Sequence, residues 1–216
     1  MDNKKTALPD TEQQTRETYH HGALRESLIA AADDILRERG VEGFTLREAA
    51  RRAGVSVAAP AHHFGSAAGL LSEVAILGFA ELARYMKQAA GDLQGPARMR
   101  ALGMGYVRFA LAYPGRFHLM FRHDLLLTGD ARLENAGQAA LAEVEQAVRL
   151  HQGLAADAPI DKAAHTILLI AWSTVHGFAH LALDGKFKHT GADTEMGDFL
   201  QDILPAILLV QWPDTN

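Results

Sequence analysis

The chain has 216 residues, 48% of them apolar, which is ample for a buried core. It contains no cysteine, which excludes a disulfide framework and thiolate metal sites and fits a reducing cytoplasm. A formal net charge of −5 with a pI near 6.1 means that no global basic charge advertises nucleic acid, so any such surface must be local.

Residues 1–22, MDNKKTALPDTEQQTRETYHHG, are polar and hold no apolar run of signal-peptide length. We read residues 1–19 as a flexible polar arm. A first helix is expected over 23–39, with Leu24, Leu28, Ala31, Ala32, Ile35 and Leu36 on one stripe and Gly40 as its stop. A second helix is expected over 46–53. Thr45 is its N-cap, and Glu48, three residues on, completes the pattern of a capping box. Gly54 ends it, Ser56 opens a third helix over 57–63, and Ser66 opens a fourth that runs to about Ala89. Further helices are expected over 97–112, 115–123, 131–151, 159–183 and 195–211. Pro114 suits a first helical turn, whereas Pro205 inside the last segment predicts a kink or an earlier break. No stretch shows strand-like alternation. The fold class is therefore all-α, with a three-helix N-terminal domain over 20–69 and a C-terminal helical bundle over 70–216.

Residues 163–183 are long and apolar enough to raise a membrane span. His165, Thr166, Ser173, Thr174, His176 and His180 are dispersed through them, and polar groups are costly in lipid, so we expect a helix buried by protein and no membrane partner.

The second and third helices, joined by a glycine turn, have the layout of a helix-turn-helix, whose second helix enters the DNA major groove. Over residues 43–69 Arg47, Arg51 and Arg52 stand against the single acid Glu48, a modest basic patch. Thr45 and Ser56, at helix starts, are placed to hold phosphates together with Arg47. Val57, Ala58 and Ala59 would bring the third helix close to the groove floor, where a methyl group can touch thymine, and His62 and His63 can donate to base or phosphate.

The segment over 19–71 resembles the TetR family of bacterial transcriptional regulators. The likeness rests on the first-helix stripe, Gly40-Val41-Glu42-Gly43-Phe44-Thr45-Leu46, the turn Ala50–Ser56, the His63-Phe64 pair and Gly69-Leu70-Leu71, in the family's order and spacing. Tyr106–Ala110, Tyr113–Phe117 and Trp172–Gly177 resemble one branch of that family. The resemblance implies an all-helical homodimer with two operator-reading heads and a ligand pocket in each C-terminal domain. Where the family usually has Tyr and Lys on DNA phosphates, this chain has Ala61 and Ala67; His62, His63, or Lys4, Lys5 and Arg16 of the arm are the available replacements. The implied function is a ligand-responsive regulator, by default a repressor, that binds a near-palindromic double-stranded operator and is released by a small-molecule effector of unknown identity. No cofactor is expected, and the expected location is the cytoplasm.

In the C-terminal half, Phe109, Phe117, Phe121, Trp172 and His176 are the residues we expect to line or border a ligand cavity, which needs apolar walls and few polar groups. Ile167, Ile170, Leu200, Ile203, Leu204 and Ile207 are expected at a two-fold interface, because the last two helices carry more apolar surface than one layer can bury. The contrary class is an enzyme or metal-binding helical protein using the C-terminal histidines. His176 and His180 have the i, i+4 spacing of two ligands on one helix, but no H-E-x-x-H arrangement, nucleophile elbow or phosphate-cradling loop accompanies them. We therefore expect no catalytic residue and no metal site.

Overall fold

The computed structural model describes residues 10–155, 157–189 and 199–214. Among them it shows nine α-helices and no strand. They are α1 (Asp10–Arg39), α2 (Leu46–Arg52), α3 (Ala59–Phe64), α4 (Ala67–Ala90), α5 (Gly95–Ala112), α6 (Pro114–Met120), α7 (Ala131–His151), α8 (Lys162–Leu183) and α9 (Leu204–Gln211).

Most helix ends follow the expected chemistry. The Thr45 hydroxyl accepts from Glu48 N at 3.1 Å, Ser66 from Gly69 N at 3.1 Å and Asp161 from Ala164 N at 2.8 Å, each satisfying an N-terminal donor that has no intrahelical partner. Pro114 sits in the first turn of α6.

Several boundaries differ from the sequence reading, among them the end of α6 at Met120 and the start of α8 at Lys162. Helical backbone begins at Asp10, so residues 10–19, expected as arm, are the first turns of α1, while residues 1–9 with Lys4 and Lys5 lie outside the described residues. The third helix starts at Ala59, with Ala58 as N-cap and no side-chain cap from Ser56. Pro60 explains this: lacking an N–H, it fits a first turn, and a start at 57 would have placed it one turn further in. The last helix breaks where Pro205 predicts. Phe199–Ile203 form one π-helical turn, and α9 restarts at Leu204 with Pro205 in its first turn.

The core is continuous from the head to the bundle. Leu28, Ile35 and Leu36 of α1 meet Leu70 and Val74 of α4, and the same cluster runs on through Met86, Phe109 and Phe117 to Leu204 and Leu208. The α4 helix packs on α1, α3, α5, α6 and α7, and α5 packs on α8 and α9. Our division near residue 70 therefore falls inside a helix that both halves share. The α4 and α5 backbones come together at Gly105, where a Cβ would stand 2.6 Å from the Tyr85 carbonyl oxygen and 2.8 Å from Met86 Cα.

By length and a mean hydropathy of 1.5, α8 could cross a membrane. Here Ala164, Leu168, Ala171, Val175 and Phe178 are buried within the protein, and Leu169, Ile170, Trp172 and Leu181 are left outward.

Candidate nucleic-acid interface and ligand cavity

The α2–α3 turn depends on Gly54, whose φ of +69° is a left-handed conformation that residues with a Cβ rarely adopt. The turn presents Thr45, Arg47, Ser56, Val57, Ala58 and His62 outward as one exposed surface, with Val57 64% exposed. Ala59 and His63 are half-buried; the His63 ring lies 5.4 Å from that of His62 and 6.4 Å from that of Phe64. Phe64 in turn lies under the Arg25 guanidinium of α1 at 5.5 Å. Ala61 and Ala67 are also exposed.

The basic patch is smaller than the sequence count. The Glu48 carboxylate does not return to the Thr45 N–H as a full capping box requires. It accepts instead from Arg51 at 2.7 and 2.8 Å and from Arg52 at 3.0 Å, and Glu38 takes the other face of Arg52 at 2.7 Å. Hydrogen bonds from Arg51 and then Arg52 hold the Glu48 carboxyl down at about 2. Arg47 is the arginine of the three that is exposed and makes no ion pair among the described residues.

A cavity of about 500 Å3 opens in the C-terminal bundle between α4, α5, α7, α8 and the 126–129 loop. Phe121 and Trp172 line it, as expected from the sequence. Phe109, Phe117 and His176 are not lining residues and stand one layer back. Phe109 and Phe117 are fully buried in the wall behind, Phe109 against Tyr85 and Tyr113 and Phe117 against Tyr106 and Phe121. His176 is turned to Tyr106, whose hydroxyl lies 2.8 Å from its Nδ1. Burial pushes the Tyr106 phenol up, and burial followed by the neighbouring His180 holds the His176 imidazole below its usual value. With phenol and ring both neutral, the direction of this bond follows the ring tautomer: Nδ1 accepts the phenol proton when Nε2 carries the ring hydrogen.

Sequence reasoning missed the contributions of Phe79, Leu82 and Met86 from α4 and of Glu134, Leu141 and Val144 from α7. For the apolar ones the signal was a helical stripe that an ordinary packing face shares, and Glu134 gave none beyond an acid in a first helical turn.

The cavity rim is tied to the head by polar contacts. Leu127 N, on the lining loop, donates to the buried Ser72 hydroxyl at 2.9 Å. Next to it Glu73, also buried, bridges Arg132 of α7 at 2.6 Å and Arg25 of α1 at 2.5 Å. Arg116 of α6 makes a bidentate bond to Asp33 of α1 at 2.5 and 2.7 Å.

Of the expected interface residues, Ile170, Ile203 and Ile207 are exposed and Ile167 and Leu200 are half-buried. Leu204 is fully buried in its own chain, a correction. With Leu208 it forms the inward i, i+4 stripe of α9, which packs on α5. Among the described residues no three His, Asp or Glu side chains converge as a metal site.

Residues 28–74 match the family described as bacterial regulatory proteins, tetR family, and residues 99–204 match the tetracyclin repressor-like C-terminal domain. A curated relative, the uncharacterized HTH-type transcriptional regulator YobS of Bacillus subtilis (strain 168), is 23% identical over 167 residues, 77% of this chain and 83% of its own. A solved protein of unknown function from Rhodococcus sp. RHA1 is 34% identical with a TM-score of 0.72, covering 90% of this chain and 96% of that one. The TetR family transcriptional regulator PfmR from Thermus thermophilus shares the fold, with a TM-score of 0.57 at 17% identity over 88% of this chain and 98% of that one. With a helix-turn-helix head and a C-terminal domain that each match the same family, this chain is a DNA-binding transcriptional regulator and belongs to the TetR family.

Proposed function

We propose that the protein is a cytoplasmic homodimeric repressor that binds a near-palindromic operator and leaves it when a small molecule fills the C-terminal cavity. The observation that carries this reading is the cavity itself. Its wall includes α4, the helix on which α3 packs, and its rim loop is held by Ser72 and neighbours the Glu73 bridge to α1. A ligand that alters the 126–129 loop must act on the same end of α4 that seats the reading head. By linkage, any effector that weakens operator binding is itself bound less tightly by the operator complex.

Thr45, Arg47, Ser56, Val57, Ala58, Ala59, His62 and His63 form the proposed DNA surface. Thr45, Ser56 and Arg47 set register on phosphates, and Val57, Ala58 and His62 read the groove. Among the described residues of the α2–α3 surface Arg47 is the arginine without an ion pair, so useful affinity requires two heads, about 34–36 Å apart on one face of the duplex. Exposed Ile170, Ile203 and Ile207 support a two-fold interface built on α8 and α9.

The test is fluorescence anisotropy of the full chain with duplex DNA from upstream of its own gene, titrated at several salt concentrations. Binding of that duplex in preference to a scrambled one, with affinity falling steeply with salt, is the expected result. Equal affinity for both sequences would remove the operator reading.

A further inference from the structure

We propose that the cavity is built for a lipophilic cation rather than for an anionic amphiphile such as a fatty acid; this rests on the reading of the cavity as the effector site. None of the described residues lining it is a lysine or arginine. The two arginines nearest in sequence to the rim are already engaged: Arg132 by Glu73 and Asp130, and Arg122 by Asp124 and Glu42. Among the described lining residues an anionic head group would thus meet no lysine or arginine, only the His123 ring.

The opposite charge is provided for. Glu134, in the first turn of α7, is a lining residue, is exposed at the opening and makes no ion pair among the described residues. Below it the walls are aromatic. Phe79 and Phe121 meet edge to face with ring centres 6.1 Å apart, and Phe121 and Trp172 are tilted by 44° at 6.4 Å. Rings set at different angles offer π faces in more than one direction, and a π face attracts a delocalised cation. Among the described lining residues, buried Tyr106 already has its hydroxyl bonded to His176. The occupant this describes is bulky and apolar, with its positive charge held between the rings and the Glu134 carboxylate.

Tetraphenylphosphonium and tetraphenylborate, nearly equal in shape and opposite in charge, test the sign directly. The fluorescent neutral probe N-phenyl-1-naphthylamine is first bound to the full-length protein, and each ion is then used to displace it. The phosphonium should displace it at roughly ten-fold lower concentration than the borate. Glu134→Gln should remove most of that preference and Glu134→Lys should reverse it; both changes are at an exposed helical position that tolerates them. Borate displacing as well as phosphonium, or an unchanged preference in Glu134→Gln, overturns the charge inference. Naphthylamine binding that phosphonium cannot displace overturns it too, while leaving the cavity intact as an effector site. Failure of naphthylamine itself to bind overturns both.

Discussion

Arg47, Arg51 and Arg52 look equivalent in the sequence and differ in the structure. Glu48 and Glu38 take up Arg51 and Arg52, and Arg47 makes no ion pair among the described residues. Arg47→Ala should therefore weaken operator binding and lower the salt slope by about one per subunit, whereas Arg51→Ala should change the slope by less; anisotropy over a salt series compares them, and equal losses would show that Glu48 releases Arg51 on DNA. Glu48 also makes an acid-stability prediction. Its folded pKa of about 2 lies below its ordinary 4.5, so its stabilisation is complete above 4.5 and is lost as pH falls toward 2. Glu48→Gln should flatten the acid limb of a thermal-melting profile within that window. The Thr45 cap was legible because a hydroxyl three residues before Glu48 is a local signal. The carboxylate's destination was not, since arginines at i+3 and i+4 compete with the Thr45 N–H and only geometry decides between them.

The helices themselves were legible because their stops are local: Gly40, Gly54, Gly91 and the prolines cut the periodic stripes where the structure ends them or nearly so. The cavity was legible only in part. Phe121 and Trp172 stand out as aromatic, but which face of α4 and α7 opens onto empty space depends on how far apart the helices are held. That spacing is set where α4 and α5 nearly touch, at Gly105. Since the obstructing atoms there are the Tyr85 carbonyl and Met86 Cα, no rotamer change can make room, and Gly105→Ala must push the helices apart. We expect a loss of about 1–3 kcal/mol in urea unfolding, together with altered binding of a neutral cavity probe. Gly137→Ala is the control: its Cβ would meet only the Phe79 ring, at 3.7 Å or more, and should be tolerated.

At the scale of the whole molecule, the outstanding energetic problem is the outer apolar surface of α8 and α9. Leu169, Ile170, Leu181, Ile203, Ile207, Leu209 and Val210 are all more than a third exposed, with Val210 at 86%. Burying a Leu, Ile or Val side chain contributes about 1.5–3 kcal/mol, so leaving these in water is costly. The proposed two-fold interface would cover these residues in both subunits and supply the second reading head. The two consequences can be separated. Ile170→Glu with Ile207→Glu places four charges in the proposed dimer interface while leaving α2, α3 and the α4 face unchanged. The double variant should sediment as a folded monomer with wild-type helicity, bind a neutral cavity probe, and lose roughly the square-root share of operator affinity that one head cannot supply. A variant that remains dimeric would move the interface away from α8 and α9. A monomer that still binds operator at wild-type affinity would mean that one head suffices, and that the apolar surface serves something other than pairing.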